Sequence, residues 1–524
     1  MDEKSLQKRI LIATLIGFMF FIFYDYAYLS KFRPEANATA QTTTTAQEYQ
    51  APTTSLKTTV ETPAQTVNSG KVITTISSSY FTATIDDLGR ISSFILNEEI
   101  YKDADGNALN LIDPSFEAFP LELRFADSSI NQKAFTTAYV ASASTLDVSS
   151  GKQSVVLTQN LGDVIIKKTL TIGSRGEYSV SVEMDKELDY FVAPGMRSNI
   201  IPDRLTVHGT LLRDLDDKLE ILKDGKVKTG GESFENIDII SSFDRYYATL
   251  MYNFETPMSV VVNGLNNGVN QSFILAKGNF KADGFIGPKN QALLASINPE
   301  LTDVVEYGWF TFIAKPIFWF LSWINDLVGN WGWAIVVMTF TIRLVLFPLT
   351  YKAMMSMNKL KDIAPKIKEI QEKYKNDPQK MQTQVMELYR KSGANPMGGC
   401  LPMLLQIPIF FAMYRVLLNA IELQGSEWIF WIENLAVRDP YFVLPILAGA
   451  VMFFHQKITP TNFTDPMQEK IMRLMPVFIT VLFLTFPAGL TLYMLTTNSF
   501  AFLQQLVINR LFHKQKEIEK AEKR

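Results

Sequence analysis

One cysteine, Cys400, and three histidines, His208, His455 and His513, are all that the 524 residues contain of those two types. A lone cysteine excludes an internal disulfide and leaves no cysteine-based metal site. Histidines scattered this widely offer neither a metal cluster nor a Ser-His-Asp order. The sequence also lacks GxSxG, a Walker P-loop and HExxH, which argues against hydrolase and ATPase chemistry. Charge is close to balance, with a formal net of -3, and this argues against a dedicated nucleic-acid binder. No cofactor, no metal and no catalytic residue is expected.

What the chain does have is long apolar runs, confined to one half. Residues 31–305 read as soluble, whereas 306–512 are dominated by Phe, Leu, Ile, Met and Trp beyond the needs of a soluble core. Residues 1–30 place Lys4, Lys8 and Arg9 before the apolar run Ile10–Tyr24. A secretory signal is one reading. An uncleaved anchor is preferred, because no small-x-small site closes the run and Tyr24, Tyr26 and Tyr28 suit a membrane interface. Residues 31–70, rich in Thr, Ala and Gln, read as a disordered linker.

Over residues 71–300 the pattern has period two. "SVVLTQN", "VIIKKTLTI" and "YSVSVEM" alternate apolar and polar residues between turn residues. Many such strands predict a large antiparallel β-sandwich. Tyr246 and Tyr247 are open to two readings, as lining of a ligand cleft or as core, and the core reading carries more weight.

Charge sets the expected topology. Lys352–Lys391 holds ten Lys and Arg against five Asp and Glu, so it belongs in the cytoplasm. With the N-terminus inside, only two spans precede it: the anchor and residues 331–352. Residues 301–330, which include Lys315, Pro316, Asn325 and Asp326, must then lie on the outer surface as an amphipathic helix. The third to sixth spans fall in 398–512, and the basic tail 513–524 ends in the cytoplasm. The fold predicted is a polytopic α-helical membrane protein of six spans, joined to an all-β extracytoplasmic domain.

Within the spans, Arg343 is the costly residue, at roughly 2.5–3.5 kcal/mol on insertion scales. Snorkelling toward Lys352, roughly 13 Å along the helix, is one explanation. A wet intramembrane groove is the other, supported by Thr339 one turn away, by Gln406, and by Thr491, Asn498 and Gln505 at seven-residue spacing, with Thr497 and Gln504 beside them. No acidic residue in the spans is placed to pair with Arg343. Residues 353–397 read as a basic helical hairpin, with Asp377 as N-cap, Pro378 as first helical residue and Gly393 as terminator. It is read either as a solvated spacer or as a docking arm. The fifth span, Ile471–Phe486, is short, which favours local bilayer thinning.

The run "TIRLVLFPLT", the stretch "MELYRKSGANPMGGCLPMLLQIPIFFAMYRVL", and the segments "DPYFVLPILAGAVMFFHQKITP" and "DPMQEKIMRLMPVFITVLFLTFPAGLTLY" resemble the YidC insertase family (YidC/Oxa/Alb) over about residues 300–512. The long exported sandwich resembles the Gram-negative form, whose periplasmic domain looks like a carbohydrate-processing sandwich without known activity. The resemblance implies a five-helix insertase core in the bacterial inner membrane, both termini cytoplasmic and the large domain periplasmic. It implies a hydrophilic groove open to the cytoplasm, in which Arg343 is the key arginine and Thr339 its polar partner. Client contact falls on Gln406, Ile407, Phe410 and Phe486, with Tyr493 at an aromatic position and Asn498 and Gln505 on the polar stripe. Met494 stands where a second family tyrosine is expected. The implied partners are nascent membrane proteins, the Sec translocon, the ribosome through the basic hairpin and tail, and membrane lipids.

Overall fold

A computed structural model describes residues 70–102, 106–116, 118–198, 206–393, 401–459 and 466–522. The expected anchor, nearly all of the linker and the Asn395–Gly399 turn lie outside the described residues. The chain divides after Val304 into two units, each described by itself.

The first unit is rich in β-sheet and consistent with the expected sandwich. Its described residues form a thirteen-stranded sheet and a four-stranded one. The period-two segments behave as the pleat requires. Gln153–Asn160, Ile165–Ile172 and Glu177–Met184 pair antiparallel in succession, and in each the buried residues alternate with more accessible ones. The small sheet contributes Phe81 and Phe94, stacked at 4.4 Å and buried. Helix α1 (Ser128–Thr136) starts where Asp127 accepts from the backbone N–H groups of Ser129 and Ile130, as an N-cap should. Tyr247 is buried, with its ring edge-on to Tyr101 at 5.9 Å; it serves the core.

One inward position breaks the apolar pattern. Lys168 falls on the face shared by Ile166, Leu170 and Ile172, and it is fully buried. Its Nζ donates to the carbonyls of Gly89 at 2.8 Å and Leu121 at 2.7 Å and lies 5.0 Å from the centre of the Tyr139 ring. Nearby, Arg90 bridges Asp86 and Glu122, and Glu122 also pairs with buried Arg124. At the far end of the unit, helix α2 (Gln291–Ile297) leads into the 3-10 turn Pro299–Val304. Buried Arg213 holds this turn through Glu300 and Asp303, while its other nitrogens take Asp238.

The second unit is helical. Helix α3 (Thr311–Val328) buries Ala314, Phe318, Leu321 and Ile324 and exposes Phe312, Trp319, Trp323 and Leu327. Helix α4 (Trp331–Val345) then stops short of the predicted end of the second span. The chain turns at Leu346 and continues as α5 (Phe347–Lys373), at 63° to α4. Pro348 is the cause: it has no N–H to give, and its ring crowds the carbonyl four residues back. The first hairpin helix therefore begins at Phe347 rather than after Lys352. Helix α6 (Pro378–Lys391) opens as its sequence dictates, with the Asp377 carboxylate accepting from Lys380 N and Pro378 in the first turn. Gly393 follows its end in the left-handed region, at φ 57°.

Helices α7 (Leu401–Asn419), α8 (Val443–Ile458), α9 (Pro466–Phe483) and α10 (Ala488–Glu522) complete the unit. The last runs past the predicted sixth span and takes the described part of the basic tail into one helix. It is also the central element, touching α4, α5, α7 and α8. Among the described residues, no single helix is long and apolar enough to cross a membrane alone; α4 and α5 taken together, with the 63° bend between them, have the length and apolar composition of a broken span or a re-entrant loop.

Candidate functional site: a polar interior in the helical unit

Helix α10 brings the predicted polar residues toward the interior because its Thr, Asn and Gln positions recur on one face. Tyr493 is buried, and its hydroxyl accepts from Gln406 Nε2 at 3.1 Å. The Thr497 side chain is also hydrogen-bonded to it. This joins α7 to α10 at the level of Arg343, whose guanidinium lies within electrostatic reach of Tyr493 and of His455 on α8. Arg343 is half-buried, and among the described residues no carboxylate acts on it. Its backbone carbonyl, in the last turn of α4, receives a long bond of 3.5 Å from Gln504 Nε2.

Thr339, read as the polar partner of Arg343, is buried, and its hydroxyl donates to Ile335 O at 2.6 Å. Its proton is thus used within the helix, a habit of threonines in apolar helices. Phe410 and Phe486 are connected through Tyr414, with ring centres 6.2 Å and 6.1 Å from it. Ile407 is half-buried on the same helix as Phe410. Asn498 is half-buried on α10. Gln505 differs from expectation. It is buried, and its Nε2 donates to Asn509 Oδ1 at 2.7 Å, so it is engaged in an amide network instead of facing an open groove.

That network was not read from the sequence. Asn509 Oδ1 also accepts from Asn358 Nδ2 of α5 at 3.1 Å, and Asn509 Nδ2 donates to Ile458 O at the end of α8, again at 3.1 Å. The four-residue spacing of Gln505 and Asn509 was the available signal, since such pairs share a helix face. His455 carries no signal in the sequence beyond being one of three scattered histidines. Its Nε2 is buried and has no hydrogen-bond partner among the described residues, and the same holds for Gln504 Oε1. Unsatisfied buried polar atoms are rare enough to mark a place of interest.

Around this polar interior the outward surface is apolar. Leu344, Ile446, Leu447, Phe453, Leu474, Val477, Val481 and Leu503 are all exposed. A soluble surface does not carry that much exposed apolar area, so fold and site together define a helical membrane protein with a polar interior and an appended β-domain. Residues 323–516 match the family described as 60Kd inner membrane protein, and residues 274–320 match the YidC periplasmic domain. The membrane protein insertase YidC of Campylobacter jejuni is 51% identical over 97% of both chains. That of Wolinella succinogenes is 45% identical over 98% of this chain and 97% of its own, and that of Helicobacter pylori 26695 is 40% identical over 98% of both. A crystal structure of an active YidC insertase overlays 84% of this chain and 94% of its own at TM-score 0.35 and 20% identity. The chain belongs to the YidC family of membrane protein insertases.

Proposed function

We propose that this protein inserts and folds inner-membrane proteins without a covalent step, using the polar interior around Arg343 as the entry site for a client's hydrophilic segment. The observation that carries the reading is a half-buried arginine on which, among the described residues, no carboxylate acts, flanked by Tyr493, Gln406 and amide and imidazole atoms that find no partner there. Such a cation has a strong electrostatic demand for a partner, and an acidic or polar client segment supplies one. The client's apolar segment then moves along Ile407, Phe410 and Phe486 into lipid, driven by burial of roughly 20 apolar residues.

The wider arrangement follows the same physics. Six spans, with both termini inside, put the basic hairpin and tail in the cytoplasm, where ribosome and nascent chain arrive, and put the β-unit in the periplasm. Helix α3, apolar on its exposed face and seated on α4 and α7 by its buried one, lies in the outer interface against lipid. The Sec translocon is a second route for the same clients.

The test is protease protection of a small single-span client added to liposomes containing only this protein. Arg343→Ala lowers the protected fraction by about tenfold, equivalent to one charge-assisted hydrogen bond of about 1.5 kcal/mol, and Arg343→Lys restores most of it. Full activity of Arg343→Ala would reduce Arg343 to a snorkelling residue. No protection with any of several clients would refute autonomous insertion.

A further inference from the structure

Where α4 breaks, the chain segments on both sides of the bend are tied to one short stretch of α10. A broken helix has no continuous hydrogen-bond ladder to set its angle, so another element must. On the α4 side, the Arg343 carbonyl, freed by the helix end, receives Gln504 Nε2 at 3.5 Å. On the α5 side, Asn358, also buried, donates to Asn509 at 3.1 Å. Gln505 donates to the same Asn509 oxygen, and Asn509 in turn donates to the last-turn carbonyl of Ile458 on α8. Asn509 thus ties its own helix to two others, α5 and α8, with both acceptor sites of its oxygen and one of its two donor hydrogens in use. Two turns further along α10, Lys516 pairs with Asp362 of α5 at 2.7 Å, an exposed contact that contributes little by itself.

We propose that Asn509 is a positioning residue: with Gln504 and Gln505 it makes α10 a brace across the α4–α5 bend, fixing the direction in which the cytoplasmic hairpin leaves and the direction in which Arg343 points. The link to Arg343 rests on the insertase reading above; the brace itself does not. Arg343 sits in the last turn before the break, so a change in bend angle rotates its side chain relative to Tyr493 and His455. Buried amides in a low-dielectric interior hold their geometry because unpairing any one of them leaves another unsatisfied.

The experiment uses the full chain in liposomes, with Cys400→Ser as background and nitroxide labels at Gln382→Cys on α6 and Gln515→Cys on α10, both exposed positions. Pulsed electron–electron resonance reads the distance between hairpin and C-terminal helix. Asn358→Ala removes only the α5 arm of the network and at least doubles the width of the distance distribution. Asn509→Ala, which removes all three arms, widens it further, whereas Lys516→Ala leaves it near the parent width. Should Asn509→Ala fail to fold, Asn358→Ala alone decides the matter, and a parent-like distribution in it overturns the brace. For the link to Arg343, insertion of a client with an acidic translocated tail falls several-fold in Asn358→Ala, while a tail-less client keeps its rate. Equal loss of both clients overturns the positioning role. A parent protein that inserts neither client refutes the insertase reading, and the distance result still judges the brace.

Discussion

Lys168 makes the stability of the β-unit depend on pH in a direction opposite to the familiar acid-stable lysine pair. Burial is the dominant influence: it disfavours the ammonium and brings the group from 10.5 down to about 7, with Arg90 adding to the effect and Asp86 and Glu122 opposing it. Between those two values the unfolded chain holds a proton that the folded chain has released. Raising the pH through this window therefore favours the folded state, by at most about 1.4 kcal/mol per unit. Integrated from pH 7 to pH 9, the gain is about 2 kcal/mol. With a urea dependence of about 2 kcal/mol per molar, this moves the unfolding midpoint up by roughly 1 M. All seven tryptophans lie beyond residue 304, so tryptophan fluorescence does not report on this unit. Pulse proteolysis of the full-length protein across a urea series does, followed through fragments of the β-unit. Other groups titrate too, and the comparison that isolates Lys168 is Lys168→Met. Its absolute stability shifts because the Gly89 and Leu121 carbonyls lose their donor, but its pH slope is flatter than that of the parent by the stated amount. If parent and variant midpoints run parallel from pH 7 to pH 9, the reasoning fails.

Two further perturbations test the helical unit. A Cβ at Gly449 would lie 1.9 Å from Thr480 Oγ1, so Gly449→Ala forces α8 and α9 apart at a cost of about 1–3 kcal/mol; a lower thermal midpoint in detergent, read by loss of the monodisperse peak, checks it. Asp439 is buried and accepts from Tyr441 N at 3.0 Å, Leu444 N at 2.7 Å and Trp431 Nε1 at 2.9 Å, anchoring the start of α8. Asp439→Ala removes all three bonds, destabilises that end by about 1–2 kcal/mol, and shifts the Trp431 part of the fluorescence to longer wavelength. The shift must vanish when Trp431→Phe is added.

Features that depend on local sums were legible in the sequence, and features that depend on distant partners were not. Period two in Gln153–Asn160 and Ile165–Ile172 follows from the pleat, and the alternation visible in the sequence matches the burial of Val155, Leu157, Ile166 and Leu170. At Lys168 periodicity and chemistry disagree: its position is inward by periodicity and outward by its charge, and the carbonyls of Gly89 and Leu121, far away in the chain, decide for the inward placement. The start of the second hairpin helix at Asp377–Pro378 needs no partner beyond its own first turn, and it is legible in the sequence. At the second span the two kinds of information conflict. Apolarity continues through "LVLFPLT" to Tyr351, and a hydropathy sum extends the span with it, yet Pro348 ends the helix at Val345. Arg343 was found because a charge in an apolar run is conspicuous by itself. The Asn358–Asn509 bond, between residues 151 apart, was invisible because each asparagine lies in a polar setting where it costs nothing to leave unexplained. The break and the bond belong together: the proline removes the local means of setting an angle, and the amides of α10 supply a distant one.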